Sequence, residues 1–283
     1  MARILDSGDV DAYVKTNLER WEELAELHPK TAFYDLEALR GGANHLHTLE
    51  REEIGGEVRD RSLLHLQCHI GTDSVSLARL GARVTGVDFS ARAVEEADRL
   101  AVECGVKARF LRSEIATLPA LLDEQFDVVY TSWGVLCWQP ELAAWARAAA
   151  GFVRPGGFLY VAEFHPLCWV FDEEVAEPRL RYPYFPTGEP VGGIAEGSYA
   201  DRSATLRNRQ EYGWPFSLGD LVSELAANGL VIEYLHEFPR CPTRMLDFLV
   251  EDDSPGDRRP WWRMPDGMTQ LPLSFSLRAR RDA

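Results

Sequence analysis

The sequence lacks several features that would place it in a specialised class of protein. No apolar run among its 283 residues approaches the roughly 18 residues of a membrane-spanning helix, so we expect no membrane partner. The first residues, Met1 to Asp9, contain no apolar core of a signal peptide. We therefore expect a cytoplasmic protein.

Paired cysteines are also absent. The five cysteines are widely spaced without a CxxC pair, and they are Cys68, Cys104, Cys137, Cys168 and Cys241. An odd count without paired spacing argues against a disulfide framework and against a zinc site. Because no His, Asp and Glu residues cluster with the spacing of metal ligands, we expect no metal. We interpret the cysteines as buried apolar residues.

Positive charge is scarce relative to negative charge. The chain has 30 Lys and Arg residues against 45 Asp and Glu residues, a net charge of −15. Such a surface repels phosphate backbones, so nucleic acid is not an expected partner. Hydrophobic residues make up 46% of the chain and charged residues 27%, which is typical of a globular protein and argues against disorder.

The first 60 residues carry helical patterning. Apolar residues recur at steps of three and four at Val14, Leu18, Trp21, Leu24 and Leu27. Pro29 ends this helix, and shorter helical segments are predicted at Phe33–Leu39 and Leu46–Ile54. No strand signal precedes Arg61. We predict a helical N-terminal cap over residues 1–60, followed by a sheet-containing domain over residues 61–283.

From Arg61 onward, short apolar runs alternate with amphipathic segments. The predicted strands are Ser62–Leu66, Arg83–Val87, Lys107–Leu111, Phe126–Tyr130, Phe158–Ala162, Leu230–Leu235 and Leu271–Arg278. The predicted helices are Thr72–Leu80, a helix capped by Ser90 and stopped by Gly105, Pro140–Val153, and a helix from Ser217 to Asn228. This alternation predicts an α/β fold with a parallel sheet and helices on both faces.

Two long segments interrupt the alternation. Residues 166–213 are rich in Pro, Gly and Tyr and are too long for a simple connection, so we interpret them as a lid or substrate-binding insertion. Residues 238–268 form a second predicted loop, which contains Trp261 and Trp262.

Polar residues at the ends of the first two strands indicate a nucleoside site. Gln67–Gly71 follows the first strand and Asp88 ends the second. Ligands of an open parallel sheet bind beyond the carboxyl ends of its strands, where an acidic residue accepts hydrogen bonds from ribose hydroxyls. Only Gly71 remains of a GxGxxG turn, which disfavours NAD and FAD. S-adenosylmethionine has no phosphate, and its cationic groups suit an acidic pocket.

Four motifs in this order resemble those of class I S-adenosylmethionine-dependent methyltransferases. They are LLHLQCHIGTD at 63–73, GVDFS at 86–90, FDVVY at 126–130 and RPGG at 154–157. The resemblance covers about residues 60–165 well and Ser217–Leu235 and Leu271–Arg278 more weakly. The usual first motif is D-x-G-x-G-x-G. Here His65, Gln67 and His69 replace its Asp and its first two Gly residues, the pattern of a subgroup with an L-Q-C-H-x-G loop.

The resemblance implies a Rossmann-like fold with seven strands, mostly parallel, and an antiparallel last strand. It implies S-adenosylmethionine as cofactor and methyl transfer to a small-molecule acceptor. The implied cofactor-binding residues are Gln67, His69, Gly71, Asp88, Phe89, Glu114, Ile115, Thr131 and Ser132. In that scheme Asp88 holds the ribose hydroxyls, Glu114 contacts the adenine amino group, and Ile115 packs on the ring. Gly71 allows close backbone approach at the methionine end.

The acceptor would bind at the same edge of the sheet. His165 directly follows the fifth predicted strand and is the predicted general base, if the acceptor must lose a proton. The predicted acceptor-contacting residues are Trp133, Trp138, Trp169 and Tyr199. The alternative is that these aromatic residues belong to the core and that His165 only turns the chain before Pro166.

The cofactor residues have structural alternatives as well. Asp88 could cap the following helix, Glu114 could be a solvated charge, and Gln67 and His69 could be packing residues that close the pocket. In that last case the chain would be a non-catalytic protein that binds the nucleoside, or keeps only the fold, in a regulatory role.

Overall fold

Seven strands form the main sheet of the structure, a computed structural model that describes residues 3–4, 10–173, 175–252 and 257–283. The strands of the described residues, including those outside the main sheet, are numbered in chain order. They are β1 (Arg3–Ile4), β2 (Ser62–Leu66), β3 (Arg83–Asp88), β4 (Ala108–Arg112), β5 (Phe126–Ser132), β6 (Val153–Phe164), β7 (Val191–Ile194), β8 (Gln210–Gly213), β9 (Leu230–Phe238), β10 (Arg240–Cys241), β11 (Val250–Asp252), β12 (Trp261–Arg263) and β13 (Ser274–Arg281). The α-helices are α1 (Val10–Leu27), α2 (Leu36–Arg40), α3 (Thr48–Glu53), α4 (Thr72–Arg79), α5 (Ala91–Glu103), α6 (Leu142–Phe152) and α7 (Leu218–Ala227).

The strand order of the main sheet is β4-β3-β2-β5-β6-β13-β9. Strands β2 to β6 pair in parallel, and β13 lies antiparallel to both β6 and β9. The predicted seven-stranded sheet with an antiparallel last strand is therefore confirmed. The chain runs outward from β2 to β4 and then crosses back to β5, so strand order reverses between β2 and β5. The ends of these two strands are the expected ligand position.

Apolar side chains at successive strand positions point to opposite faces of the sheet, so each face packs against its own hydrophobic core. In β5, Val129 packs against the core on the side of α6 and α7, whereas Val128 and Tyr130 pack on the opposite side. The helices begin at predicted caps. The Ser90 hydroxyl accepts a hydrogen bond from the backbone N–H of Ala93 at 3.1 Å, and Ser217 forms a capping box with Asp220.

Helix α1 is fastened to the sheet domain by ionic contacts. The Glu22 carboxylate accepts hydrogen bonds from the backbone N–H groups of Ala91 (2.7 Å) and Arg92 (3.1 Å), which open α5. A negative charge is favourable at a helix N-terminus. The buried Arg20 pairs with Glu211 of β8 at 2.9 Å. The helical cap therefore lies against the carboxyl edge of the sheet, beside the end of β3.

The two long predicted loops contain strands that their sequence does not signal. Strands β7 and β8 form a three-stranded sheet with β1, and β12 lies between β10 and β11 in a second one. The predicted absence of a strand before Arg61 is thus wrong for Arg3–Ile4, which pairs antiparallel with β7. Strands of two to four residues are too short to show alternation, and their pairing is fixed by tertiary contacts.

Several strand boundaries also differ from prediction. Strand β6 begins at Val153 rather than Phe158, because Val153 pairs with Phe126 ahead of an irregularity in the ladder. The last strand begins at Ser274 rather than Leu271. All five cysteines carry free thiols, and Cys104 alone among them is only partly buried. Among the described helices, none combines the length and apolar character needed to cross a membrane.

Gly71, which precedes α4, has a packing reason to be glycine. Its φ is 77°, and an added Cβ would lie 2.8 Å from the Ala97 Cβ and 3.2 Å from the Phe110 Cε1. We predict that Gly71→Ala lowers the free energy of unfolding by about 2–5 kcal/mol, from about 1–2 kcal/mol of left-handed strain and about 1–3 kcal/mol of overpacking. Urea denaturation measures this loss.

The matched control is Gly105→Ala. Gly105 has a φ of 67°, and apart from its own atoms and its two chain neighbours, no heavy atom of the described residues lies within 4 Å of a Cβ built there. It should lose only the conformational component. Equal losses in the two variants would contradict the packing explanation.

Candidate functional site

The loop after β2 has an unusual backbone at the point where strand order reverses. Gln67, His69 and Gly71 have φ values of 57°, 48° and 77°. A residue with a side chain in this left-handed region costs about 1–2 kcal/mol, so surrounding contacts must hold the loop. The described contacts show which groups do so.

Gln67 ties this loop to the segment after β5. Its Nε2 donates to the Val135 carbonyl at 3.0 Å, and its Oε1 accepts from the Trp145 indole N–H at 3.0 Å. Both ends of the amide are engaged with protein groups. These contacts favour the packing interpretation of Gln67, and its predicted contact with the cofactor stays a prediction.

Asp88 joins the same loop to β3. One carboxylate oxygen accepts from the His69 backbone N–H at 2.8 Å, and the other accepts from the Ser90 N–H at 2.9 Å. The Phe89 backbone also hydrogen-bonds to this carboxylate, whose two oxygens have about four acceptor positions in all, so room remains for a ribose hydroxyl. The side chain is 6% exposed, and burial raises the pKa of Asp88 to about 6. These residues fit the ribose of S-adenosylmethionine.

The expected adenine side lies beyond β4. Ile115 is 4% exposed and belongs to the main hydrophobic cluster, and Phe89 is half-buried directly after Asp88. The Glu114 side chain is exposed, while its carbonyl accepts from Leu118 N–H at 3.1 Å. Ile115 and Phe89 form an apolar wall there. The exposure of Glu114 agrees with the alternative that it is a solvated charge.

Two histidine rings and a serine hydroxyl form a series of hydrogen bonds over the end of β2. His69 Nε2 lies 2.7 Å from His28 Nδ1, and His28 Nε2 lies 2.8 Å from the Ser198 hydroxyl. Burial lowers the pKa of His69 to about 3, and burial with the His69 and Arg20 charges lowers that of His28. Both rings are therefore neutral at pH 7 and joined by a single shared hydrogen bond. These hydrogen bonds link the helical cap to the insertion at residue 198.

Aromatic residues surround this histidine pair. Trp21 contacts His69 and Trp138 edge-on, with ring centroids 5.3 and 5.5 Å away. The hydroxyls of Tyr34 and Tyr199 lie 2.5 Å apart, and Tyr199 is 41% exposed at the edge of the cluster. The structure thus brings the predicted acceptor residues Trp138 and Tyr199 together beneath the helical cap.

Two carboxyl groups lie beside the end of β5. Asp73, in the first turn of α4, accepts from the Ser132 hydroxyl at 3.1 Å. Glu50 is fully buried and accepts from the Tyr130 hydroxyl at 3.0 Å and the Trp133 indole N–H at 2.8 Å. Burial raises the pKa of both groups, and the Asp73 charge adds to the effect on Glu50. In the described residues, no three His, Cys, Asp or Glu side chains are arranged to hold a metal ion.

A third buried carboxylate shapes the loop after β5. Glu163 accepts hydrogen bonds from the backbone N–H groups of Gly134, Val135 (2.7 Å) and Leu136 (3.1 Å). This loop starts with a left-handed residue, Trp133, at a φ of 45°. The Thr131 hydroxyl donates to the Leu66 carbonyl at 3.2 Å, which joins β5 to β2. Thr131 is thus engaged in structure, whereas Ser132 faces Asp73.

Two further predicted site residues contact protein groups outside this aromatic cluster. His165 Nδ1 accepts from the Leu167 N–H at 3.1 Å, and its Nε2 lies 2.9 Å from Glu237 Oε1. Both ring nitrogens are thus engaged by protein groups, and His165 is the N-cap of the short 3-10 helix Pro166–Val170, while its role as general base stays a prediction. Trp169 packs on Phe164 at 6.0 Å, away from the aromatic cluster. The prediction that both residues belong to the site rested only on their position after β6 in the sequence.

Several site residues carried no such signal in the sequence. They are Trp21, His28, Tyr34, Glu50 and Glu163. The first four belong to the helical region, where they fit an ordinary amphipathic pattern. Asp73 stands two residues after Gly71, and its sequence position alone suggested only a helix cap.

The Glu163 contacts lead to a stability prediction. Glu163→Gln places an NH₂ group against backbone donors and removes at least one charge-assisted hydrogen bond, worth about 1.5–3 kcal/mol. We predict a loss of about 2–4 kcal/mol in the free energy of unfolding. Denaturant titration measures it, with Glu233→Gln, a partly exposed partner of Arg278, as control. A loss no larger than that of the control would contradict the role of Glu163.

Comparisons with known proteins agree with this geometry. Residues 63–157 match the family described as a methyltransferase domain. A ubiquinone biosynthesis O-methyltransferase from Bordetella avium is 27% identical over 179 residues, 62% of this chain and 70% of that protein. One from Serratia proteamaculans is 32% identical over 161 residues, 56% of this chain and 61% of that protein.

Solved structures share the fold. A putative S-adenosylmethionine-dependent methyltransferase from Listeria monocytogenes has a TM-score of 0.54 and 16% identity, covering 83% of this chain and 97% of that chain. The DhpI–SAH complex has a TM-score of 0.53 and 18% identity, covering 97% and 99%. Residues 63–157 are thus similar to a methyltransferase domain, and the described sheet has the fold of these solved methyltransferase structures.

Proposed function

We propose that this chain transfers the methyl group of S-adenosylmethionine to a hydroxyl oxygen of a small, flat acceptor held beneath the helical cap. The observation that carries the proposal is the Asp73 carboxylate beside Ser132, where strand order reverses. The relatives from Bordetella avium and Serratia proteamaculans are O-methyltransferases, which supports oxygen as the methylated atom.

The contacts described above support a set of cofactor-binding residues. In this proposal the Asp88 carboxylate accepts a hydrogen bond from the ribose, and Ile115 and Phe89 provide the apolar wall for adenine. When bound, S-adenosylmethionine supplies a methyl group on a cationic sulfur. Methyl transfer depends mainly on alignment, so a closed, pre-organised site contributes most of the catalysis.

Asp73 is the group we propose as general base. Burial raises its pKa above the ordinary value of 3.8, so it is a stronger base than a solvated carboxylate. In the proposed step the acceptor hydroxyl would lose its proton to an Asp73 carboxylate oxygen as its O–CH₃ bond forms and the S–CH₃ bond of the donor breaks. S-adenosylhomocysteine would be the leaving group, and the proton would then pass to water. Trp133 and Tyr199 flank the flat acceptor in this proposal.

The proposal also includes the chemical class of the acceptor and the cellular location of the protein. The net charge of −15 supports a small molecule rather than nucleic acid. The five free thiols support the reducing environment of the cytoplasm.

The contact between His28 and His69 supports a second candidate function. The two rings lie directly over the loop that follows β2. A chain that keeps this contact when the nucleoside binds would act as a regulatory binding protein. Binding of S-adenosylhomocysteine without methyl transfer to any tested acceptor would favour this candidate.

The ribose contact is tested by Asp88→Ala. The loss of charge-assisted hydrogen bonds, each worth about 1.5–3 kcal/mol, predicts at least a tenfold weaker affinity for S-adenosylhomocysteine. Isothermal titration calorimetry measures this change, with circular dichroism as the check on folding. Asp98→Ala, on the exposed side of α5, is the control. Unchanged affinity in a folded Asp88→Ala variant would contradict the ribose assignment.

The base is tested by the pH profile of Asp73→Asn. A base must be ionised, so log(kcat/KM) of the wild type should rise with pH through the elevated pKa of Asp73 and then level off. We predict that Asp73→Asn removes this limb and lowers kcat about 10²–10⁴-fold. The assay follows labelled methyl transfer to hydroxybenzoates and hydroxybenzamides, with exposed Asp123→Asn as control.

The same profile distinguishes the two candidate bases. An acid limb that persists in Asp73→Asn but disappears in His165→Asn would restore His165 as the base and contradict the role of Asp73.

A further inference from the structure

A cavity with several arginines adjoins the carboxylate side of the site. Its volume is about 260 Å³, and its walls are formed by residues 43–47 together with Arg51, Asp257, Arg258 and Arg259. Three arginines and one aspartate line it, although the chain as a whole carries a net charge of −15. The cavity is therefore a local concentration of positive charge on an acidic protein.

Two of these arginines already have acidic partners. Arg258 pairs with Asp35, and Arg51 Nη2 lies 3.5 Å from Asp257 Oδ1. Asp257 is further held by Thr48, whose N–H and hydroxyl donate at 2.6 and 2.8 Å. These pairs form the structural rim of the cavity.

Arg259 differs from the other two arginines. Its guanidinium carbon stands 4.1 Å from the Phe33 ring centroid, and its Nη2 lies 3.4 Å from His47 Nε2. Within the part of the chain that the structure describes, no carboxylate oxygen comes within 4.0 Å of this guanidinium. A stacked guanidinium keeps its edge free to bind a carboxylate or phosphate through two parallel hydrogen bonds.

The contacts of Arg259 connect the cavity to the methyl-transfer site. Phe33 packs on Tyr199 at 5.4 Å, and His47 packs on Trp133 at 5.6 Å. The cavity thus adjoins the proposed acceptor position through its lining residues His47 and Arg259. Although burial dominates and raises the pKa of Asp73, the positive charge of Arg259 acts on that carboxyl in the opposite direction.

We propose that this cavity binds an anionic group on the methyl acceptor and that Arg259 pairs with it. The inference rests on the proposed methyl transfer, and it narrows the acceptor to a hydroxylated acid. A cavity of roughly 150 Å³ holds a benzene ring, so this one accommodates an acidic group with part of a ring. Arg259 then sets the orientation that presents the hydroxyl to Asp73.

The test uses two probes of nearly the same shape. 4-Hydroxybenzoate carries the acid, and 4-hydroxybenzamide replaces it with a neutral amide. Each is titrated into the full chain saturated with S-adenosylhomocysteine. We expect the wild type to bind the benzoate at least tenfold more tightly than the benzamide. Phenyl phosphate, compared with phenol, distinguishes a phosphate site from a carboxylate site, and a preference for either anion supports the proposal.

The variants separate a binding role from a structural one. Arg259→Gln should abolish the preference for the anion and leave the affinity for S-adenosylhomocysteine unchanged, whereas Arg259→Lys should keep part of the preference. Arg244→Gln is the matched control, because Arg244 also stacks on an aromatic ring (Trp262, at 5.3 Å) but lies outside the cavity.

Each remaining outcome contradicts a stated claim. Normal binding of S-adenosylhomocysteine with no preference for either anion, or a preference that survives Arg259→Gln, would overturn the anion site alone. A wild type that does not bind S-adenosylhomocysteine would contradict the proposed function, and the inference with it.

Discussion

Hydrogen bonds from backbone N–H groups to buried carboxylates hold the carboxyl edge of this sheet together. Asp88 accepts from His69 and Ser90, and Glu163 accepts from Val135 and Leu136. A buried carboxylate is stable only when donors replace its lost water, so each carboxylate fixes the loop that supplies those donors. The left-handed residues of both loops are held in this way, and the site is built between them.

The charges at this edge divide the site into two parts. The neutral pair His28 and His69 lies with aromatic rings over the end of β2, where the cofactor is expected. The ionisable groups Asp73 and Arg259 lie on the other side, where the acceptor is proposed to bind. In the proposed arrangement, Arg259 pairs with the acidic group of the acceptor and Asp73 takes the proton from its hydroxyl. Orientation and proton removal then depend on one short stretch of the site.

The sequence predicted the parts of the structure that local pattern determines. Strands β2 and β5 are buried along nearly their whole length and appear as apolar runs, and Asp88 stands in a motif of regular spacing. The short strands β7, β8 and β10 to β12 carry too few residues to show a period. Glu50 and Arg259 are distant in the chain from Asp73, and only tertiary packing brings them together. His165 was predicted as a site residue only from its position after a strand. Its contact with Glu237 could not be predicted, because Glu237 lies on β9, far along the chain.

The central claim is that this edge of the sheet binds the methyl donor despite the altered first motif. The most direct measurement is calorimetric titration of the wild-type chain with S-adenosylmethionine and S-adenosylhomocysteine, with NAD as the comparison. We predict micromolar binding of both sulfur nucleosides and none of NAD. Absence of binding by either sulfur nucleoside would show that the ring pair His28 and His69 closes the pocket, and it would contradict the claim.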